Sequence, residues 1–238
     1  MRKFKWIACM TMLMAVSFST FAHAAEEVNG DLSLEEGAQV YVESAEDRML
    51  RERKEAELND EYGISMAAAS YTKLNVPVFV QSEDWYCGPA TVKQVVHYIK
   101  GSSQSQAYYA HKDRLNTTEN GTDMTKIPGV VNAAIGEKYY VYDEIASRAE
   151  WDKELPQSLV KRRPAILDIN TMNVPAFPYR TKGHFVCLSG EDAITSDGDG
   201  YFFQIADPIN KSGGGLQWYL KDDLYKANVN HFRAAYIW

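Results

Sequence analysis

Residues 81–90 read QSEDWYCGPA, and the ten that follow, TVKQVVHYIK, have the apolar spacing of a helix. Cys87 therefore stands at a predicted helix start, where free backbone N–H groups and the positive end of the helix dipole favour a thiolate. Gly88 allows backbone or substrate to approach closely, and Pro89 is tolerated near the first helical position because it needs no N–H. His184 follows Gly183 at the start of a predicted strand, from which an imidazole can reach the lip of a cleft. Asp207, followed by Pro208, ends the next strand, where a carboxylate can hydrogen-bond the imidazole and fix its tautomer. Thiol, imidazole and carboxylate supply a nucleophile, a general base and acid, and an orienting group. The side-chain N–H of Gln81 and the backbone N–H of Cys87 would hold an oxyanion, which completes the roles acyl transfer requires.

Each residue also has a plainer reading. A lone cysteine is more often a small buried hydrophobe than a nucleophile, and a lone histidine is usually structural. In an exported chain, Cys87 and Cys187 would be expected to pair as a disulfide. Strand geometry opposes the pairing: His184 and Cys187 are three residues apart on one strand and point to opposite faces, so Cys187 belongs in the core. Asp168 and Asp192 are the other candidates for the orienting carboxylate, but the strand of Asp207 should neighbour that of His184. His97, His111 and His231 have no partner at metal-ligand spacing. Asp197, Asp199 and Gly200 resemble a fragment of a calcium loop without the remaining ligands and read as a hairpin turn. Gly213, Gly214 and Gly215 precede no Lys-Ser/Thr helix and read as a mobile loop near the cleft, not a phosphate cradle. Neither a cofactor nor a metal is expected.

The elements that must position these residues occupy part of the chain. It opens with Arg2, Lys3 and Lys5, runs through an apolar stretch and reaches Ala22-His23-Ala24, the three parts of an export signal over residues 1–24. The run is interrupted by Ser17, Ser19 and Thr20, so stable membrane insertion is not expected after cleavage. Residues 26–62 hold 13 acids against 4 bases, whereas 63–238 is nearly neutral. That balance offers no basic face for nucleic acid. Within the acidic 25–70 segment, Ser44 and Asp47 suggest a capping box, and Asp47 and Arg51 are spaced for a helical ion pair. Its apolar positions are few, so a solvated or partly disordered helix is expected, with a propeptide or docking arm as the functional reading. The 66–70 stretch, MAAAS, reads as a cleavable junction.

From Tyr71 the pattern is globular. Residues 74–81 read as extended, 87–101 as a helix ended by Gly101, 107–118 as a polar helix and 127–136 as a helix capped by Gly136. Residues 138–145 read as a strand, 151–163 as a helix, and 164–170 as a buried strand. Strands around 183–192 and 201–209 are joined by a hairpin, and a last strand-helix-strand run closes the chain. Helices early and strands late give an α+β fold, its helices packed on a mostly antiparallel sheet.

Gln81-x5-Cys87-Gly88-Pro89-Ala90, then Gly183-His184-Phe185-Val186, then Ala206-Asp207-Pro208, together resemble the bacteriocin-processing group of papain-like cysteine peptidases, family thirty-nine, and its stand-alone relatives, over residues 72–238. The resemblance implies a papain-like fold with Cys87 and His184 facing across a cleft, Asp207 behind the histidine and Gln81 in the oxyanion hole. Transporter-linked members carry membrane and nucleotide-binding domains. This sequence shows neither a spanning helix nor a GxxxxGK[ST] motif, so cleavage of leaders at a double glycine is not carried over. The expected protein is an exported cysteine peptidase acting on a peptide or protein substrate. An acyl transferase, a cell-wall amidase and a non-catalytic binding module on the same scaffold are the alternatives.

Overall fold

The computed structural model describes residues 41–65, 71–194 and 200–238. The expected export signal over residues 1–24, the acidic stretch before Tyr41, the expected junction at 66–70 and the expected turn at 195–199 lie outside the described residues. The helices are α1 (Ala45–Ser65), α2 (Cys87–Lys100), α3 (Gln106–Ala110), α4 (Ile127–Ile135), α5 (Arg148–Val160) and α6 (Lys221–Val229). The strands are β1 (Tyr71–Lys73), β2 (Tyr142–Glu144), β3 (Ile166–Ile169), β4 (His184–Ile194), β5 (Gly200–Asp207), β6 (Gly215–Leu220) and β7 (Ala235–Ile237). They form one sheet in the order β2-β7-β3-β4-β5-β6, with β1 on β4, and every pair is antiparallel.

Helix α2 carries Val92, Val95 and Val96 at three- and four-residue spacing, and this buried stripe lies against β4 and β5. Gly101 and Gly136 end α2 and α4 in the left-handed conformation, at φ 72° and 76°. Strand β3 is buried at all four positions, as a strand covered on both faces must be.

Three expected elements are shorter than the sequence suggests. Residues 74–81 are extended but join no ladder. Pro77 has no N–H to give, and the segment is held instead through Leu74 N–H to Ser189 O (2.7 Å) and Gln81 N–H to Pro208 O (2.8 Å). The polar helix ends at Ala110 because the chain turns back: Leu115 N–H donates to Tyr109 O and Asn116, at φ 51°, to His111 O. The 138–145 strand is reduced to β2, preceded by a reciprocal pair of bonds between Val141 and Trp238.

Helix α1 starts where expected, with Asp47 N–H donating to Ser44 Oγ at 3.0 Å. Arg51 does not pair with Asp47. Its guanidinium takes Glu43 (2.9 Å) and Glu55 (2.7 Å), two carboxylates that flank it along the chain. The helix is also less solvated than its composition suggests. Leu50, Lys54 and Leu58 recur every fourth residue and are all buried. The Lys54 ammonium stands 4.0 Å from the Tyr139 ring centre and 3.9 Å from that of Trp238, and donates to Tyr139 O.

Candidate active site

Helix α2 begins at Cys87 without a side-chain cap. Tyr86 precedes it at φ −91° and ψ 20°, and the first helical bond is from Ala90 N–H to Tyr86 O. The N–H groups of Cys87 and Gly88 therefore have no acceptor within the helix, and Pro89 brings no donor. A helix opened in this way leaves its donors to whatever reaches the Cys87 side. The close approach at Gly88 is made by Thr122: a Cβ on Gly88 would stand 2.4 Å from Thr122 Oγ1. Cys87 is 8% exposed, His184 4% and Asp207 fully buried.

His184 opens β4 opposite Ile169 of β3, and Asp207 ends the neighbouring strand β5. His184 Nε2 lies 2.7 Å from Asp207 Oδ1. The Cys87 side chain also acts on the ring. Asp207 Oδ1 also accepts Ile209 N–H at 2.8 Å, while Oδ2 accepts the Tyr179 hydroxyl at 2.5 Å. Two buried polar side chains of α2 hold this register. Thr91 Oγ1 donates to Phe185 O (3.0 Å), the residue after His184, and Gln94 Nε2 donates to Ala206 O (3.1 Å), the residue before Asp207. Gln94 Oε1 also accepts Phe79 N–H, so one carboxamide joins α2, β5 and the segment leading to Gln81.

Burial alone would make the His184 imidazolium unfavourable. The hydrogen bonds to Asp207 and Cys87, and the charges on both, outweigh that cost and raise the imidazole to about 10. The imidazole is thus held in its protonated form.

The structure brings Cys87, His184 and Asp207 together and places Gln81 beside them with a different set of bonds. Gln81 Nε2 spends both hydrogens on Glu83 O (3.0 Å) and Asp84 O (2.7 Å), and its buried Oε1 has no partner. The other carboxylates lie elsewhere. Asp168 is buried with His231, 3.5 Å from its Nε2, and Asp192 sits far along β4 opposite Tyr71 and Phe202. Cys187 is a free, fully buried thiol and Cys87 a free, nearly buried one, so no bridge joins them. Burial pushes the Cys187 thiol up. Two of the three glycines at 213–215 are close-packed, since a Cβ at Gly213 would meet Pro178 and one at Gly214 would meet Ile209 O, both at 2.3 Å, whereas one at Gly215 would meet open space.

Tyr179 and the Thr91 and Gln94 ties carry no sequence signal for their role. Tyr179 sits in a loop 28 residues from the carboxylate it bonds. Three carboxylates, Glu55, Asp143 and Glu154, also converge within 4.8 Å of one another beside α1. A cavity of about 1350 Å³ between α1, α3 and α4 is lined by Met49, Tyr108 and Pro128 among others, and by none of the four expected site residues.

A thiol at a helix start, joined to a histidine and an aspartate on adjacent antiparallel strands, is the layout of the papain-like cysteine peptidases; the fold is of that α+β kind. The chain belongs to the Peptidase_C39-like family, whose model matches residues 73–237. No curated protein matches it by sequence. Similar solved structures include a double glycine motif protease from an AMS/PCAT transporter in complex with the leader peptide, at 16% identity and a TM-score of 0.44, covering 70% of this chain and 91% of that one. A putative C39-like peptidase from Bacillus anthracis is 16% identical with a TM-score of 0.46, over 70% of this chain and 96% of that one. The recombinant stem bromelain precursor is 12% identical with a TM-score of 0.43, over 84% and 93%.

Proposed function

We propose that the protein is an exported cysteine peptidase that hydrolyses peptide bonds through an acyl-thioester on Cys87. The observation that carries this reading is the buried His184–Asp207 pair on adjacent strands, with the Cys87 thiol at the start of α2 acting on the same ring. The thiol's proton rests on the His184 imidazolium, and the thiolate sulfur attacks the scissile carbonyl carbon, whose oxygen becomes an oxyanion. The Cys87 N–H faces that oxyanion from the uncapped helix start. Gln81 joins as a second donor by releasing the carbonyl of Glu83 or Asp84. Collapse of the intermediate breaks the C–N bond, and the leaving amine takes its proton from His184. Water then gives a proton to His184 and attacks the thioester, the C–S bond breaks, and the carboxylic acid product leaves with the thiol restored. Asp207 keeps the imidazole in the tautomer that serves both halves. No step calls for a cofactor.

Peptide as the substrate class is supported by family membership. Export is supported by the composition of residues 1–24, and the peptidase domain is assigned to 71–238. The test is hydrolysis of a fluorogenic peptide set by the exported chain and by Cys87→Ala. Turnover in the parent that is lost in the variant supports the reading. Equal turnover in both rejects it. N-terminal sequencing of the exported chain tests cleavage after Ala24.

A further inference from the structure

The two oxygens of Asp207 have different partners. Oδ1 accepts from His184 Nε2 and Ile209 N–H, and Oδ2 accepts from the Tyr179 hydroxyl at 2.5 Å. The Tyr179 ring also stands edge-on to the His184 ring, with centres 5.6 Å apart and planes at 78°. Tyr179 is itself held firmly. Thr171 Oγ1 and Arg180 Nη1 each donate to its carbonyl at 2.9 Å, and Gly213 lies so close that an added Cβ would be 3.3 Å from Tyr179 Cδ1.

We propose that Tyr179 is a positioning residue for the reaction assigned to Cys87 and His184: it fixes the Asp207 carboxylate with Oδ1 toward the imidazole and moderates the carboxylate's hold on the ring proton. The proposal rests on the peptidase reading above. A carboxylate held through one oxygen can still turn about its Cβ–Cγ bond, and a second bond to Oδ2 removes that freedom. The same bond draws negative charge toward Oδ2, so less of it acts on His184. Burial and the charge of Asp207 both push the phenol up, so it remains a donor wherever the carboxylate is ionised. A packing role among Phe177 and Tyr219 predicts something different, because phenylalanine keeps the same ring in the same place.

The test uses the full chain carrying Tyr179→Phe, Asp207→Ala or both, with peptide hydrolysis and iodoacetamide alkylation of Cys87 followed across pH. Tyr179→Phe is expected to lower kcat about tenfold or more, the size of a lost bond to a charged group, with KM changed by less than about twofold. Its alkaline limb should move to higher pH, because the full carboxylate charge then acts on His184. On the Asp207→Ala background, Tyr179→Phe should slow alkylation by less than about twofold, since its effect passes through the carboxylate. Parental kcat and pH profile in Tyr179→Phe overturn the proposal, as does an equal loss on both backgrounds. A Tyr179→Phe chain that fails to fold by circular dichroism assigns the residue to the core and also overturns it. If parental alkylation matches that of a free cysteine and ignores Asp207→Ala, the peptidase reading falls first and the role of Tyr179 with it.

Discussion

Thr91 Oγ1 donates to the carbonyl of Phe185 at 3.0 Å, so a residue one helical turn beyond Cys87 fixes the strand position next to His184. Both partners of the proposed reaction are thereby set by one buried bond between helix and sheet. Thr91→Val keeps the shape and removes the donor, leaving a carbonyl without its partner at a cost of ~1–3 kcal/mol. The expected outcome is a lower Tm and a fall in kcat that exceeds any change in KM, read by thermal unfolding and steady-state hydrolysis. A variant with lower Tm and unchanged kcat would confine the bond to stability.

Much of this site was legible in the sequence because its parts sit at ends of elements. Cys87 precedes an apolar stripe closed by Gly101, and His184 and Asp207 bound two alternating runs, so their placement follows from periodicity and turn residues. The bonds of Gln81 were not legible, because its carbonyl partners Glu83 and Asp84 belong to a tight turn whose shape no pattern encodes. Tyr179 was invisible for a related reason: its loop is shaped by Thr171 and Arg180 bonding to backbone carbonyls, not by hydrophobic spacing. The face of α1 was missed because Lys54 occupies a core position. A cation lying on two aromatic rings reads as a solvated residue until the rings are located.

The two cysteines should separate cleanly by accessibility and partner. Cys87 meets His184 at the helix start, whereas Cys187 is fully buried and its thiol is pushed up by burial. In the native protein iodoacetamide is expected to label Cys87 faster than a free cysteine, and Cys187 only after denaturation. Peptide mapping by mass spectrometry reads both sites, and native labelling of Cys187 would contradict its placement.

The pH dependence follows from His184. Its imidazole is raised from the ordinary 6.5 to about 10 in the folded chain. A raised histidine contributes stability that is fully present below the unfolded value and lost as pH rises through the folded one. Both stability and the paired form of the site should therefore decline toward about 10. Asp207→Asn removes the charge that opposes burial, so the alkaline limb of hydrolysis should move down by more than one unit, a shift of roughly 1.4 kcal/mol per unit. A limb that stays in place would remove Asp207 from the control of the ring.

Gly88→Ala tests the wall opposite Cys87. The new Cβ would meet Thr122 Oγ1 at 2.4 Å, and Thr122 is itself held by a bond to Thr117 Oγ1 at 2.8 Å. Relief requires moving either the helix start or the Thr122 loop, at the ~1–3 kcal/mol typical of overpacking. Reduced alkylation of Cys87 together with a lower Tm is expected, and Gly88→Ala combined with Thr122→Gly, which removes every clashing atom, should recover part of both. No recovery would show that the clash is not the cause.

Helix α1 offers the last test, because it joins the acidic segment to the body of the protein. Its described bonds and ring contacts reach Lys138, Tyr139 and Trp238, and none reaches Gln81, Cys87, His184 or Asp207. A chain starting at Tyr71 should therefore lose stability without gaining activity: Leu50 and Leu58 alone bury about 1.5–3 kcal/mol each. The contact also has a pH signature. Burial raises Asp143 to about 6 and Glu154 to about 8, and Glu55 approaches both from α1. Carboxyls raised in the folded state contribute stability at low pH that is lost as pH climbs through those values. Buried Lys54, held well below its usual range, acts in the opposite direction at higher pH. Glu154→Gln removes the largest of the carboxyl contributions, so between about pH 5 and pH 9 the variant should lose less thermal stability than the parent. Parallel curves would show that Glu154 does not titrate in the folded chain, and higher hydrolytic activity in the chain starting at Tyr71 would show that the segment restrains the site.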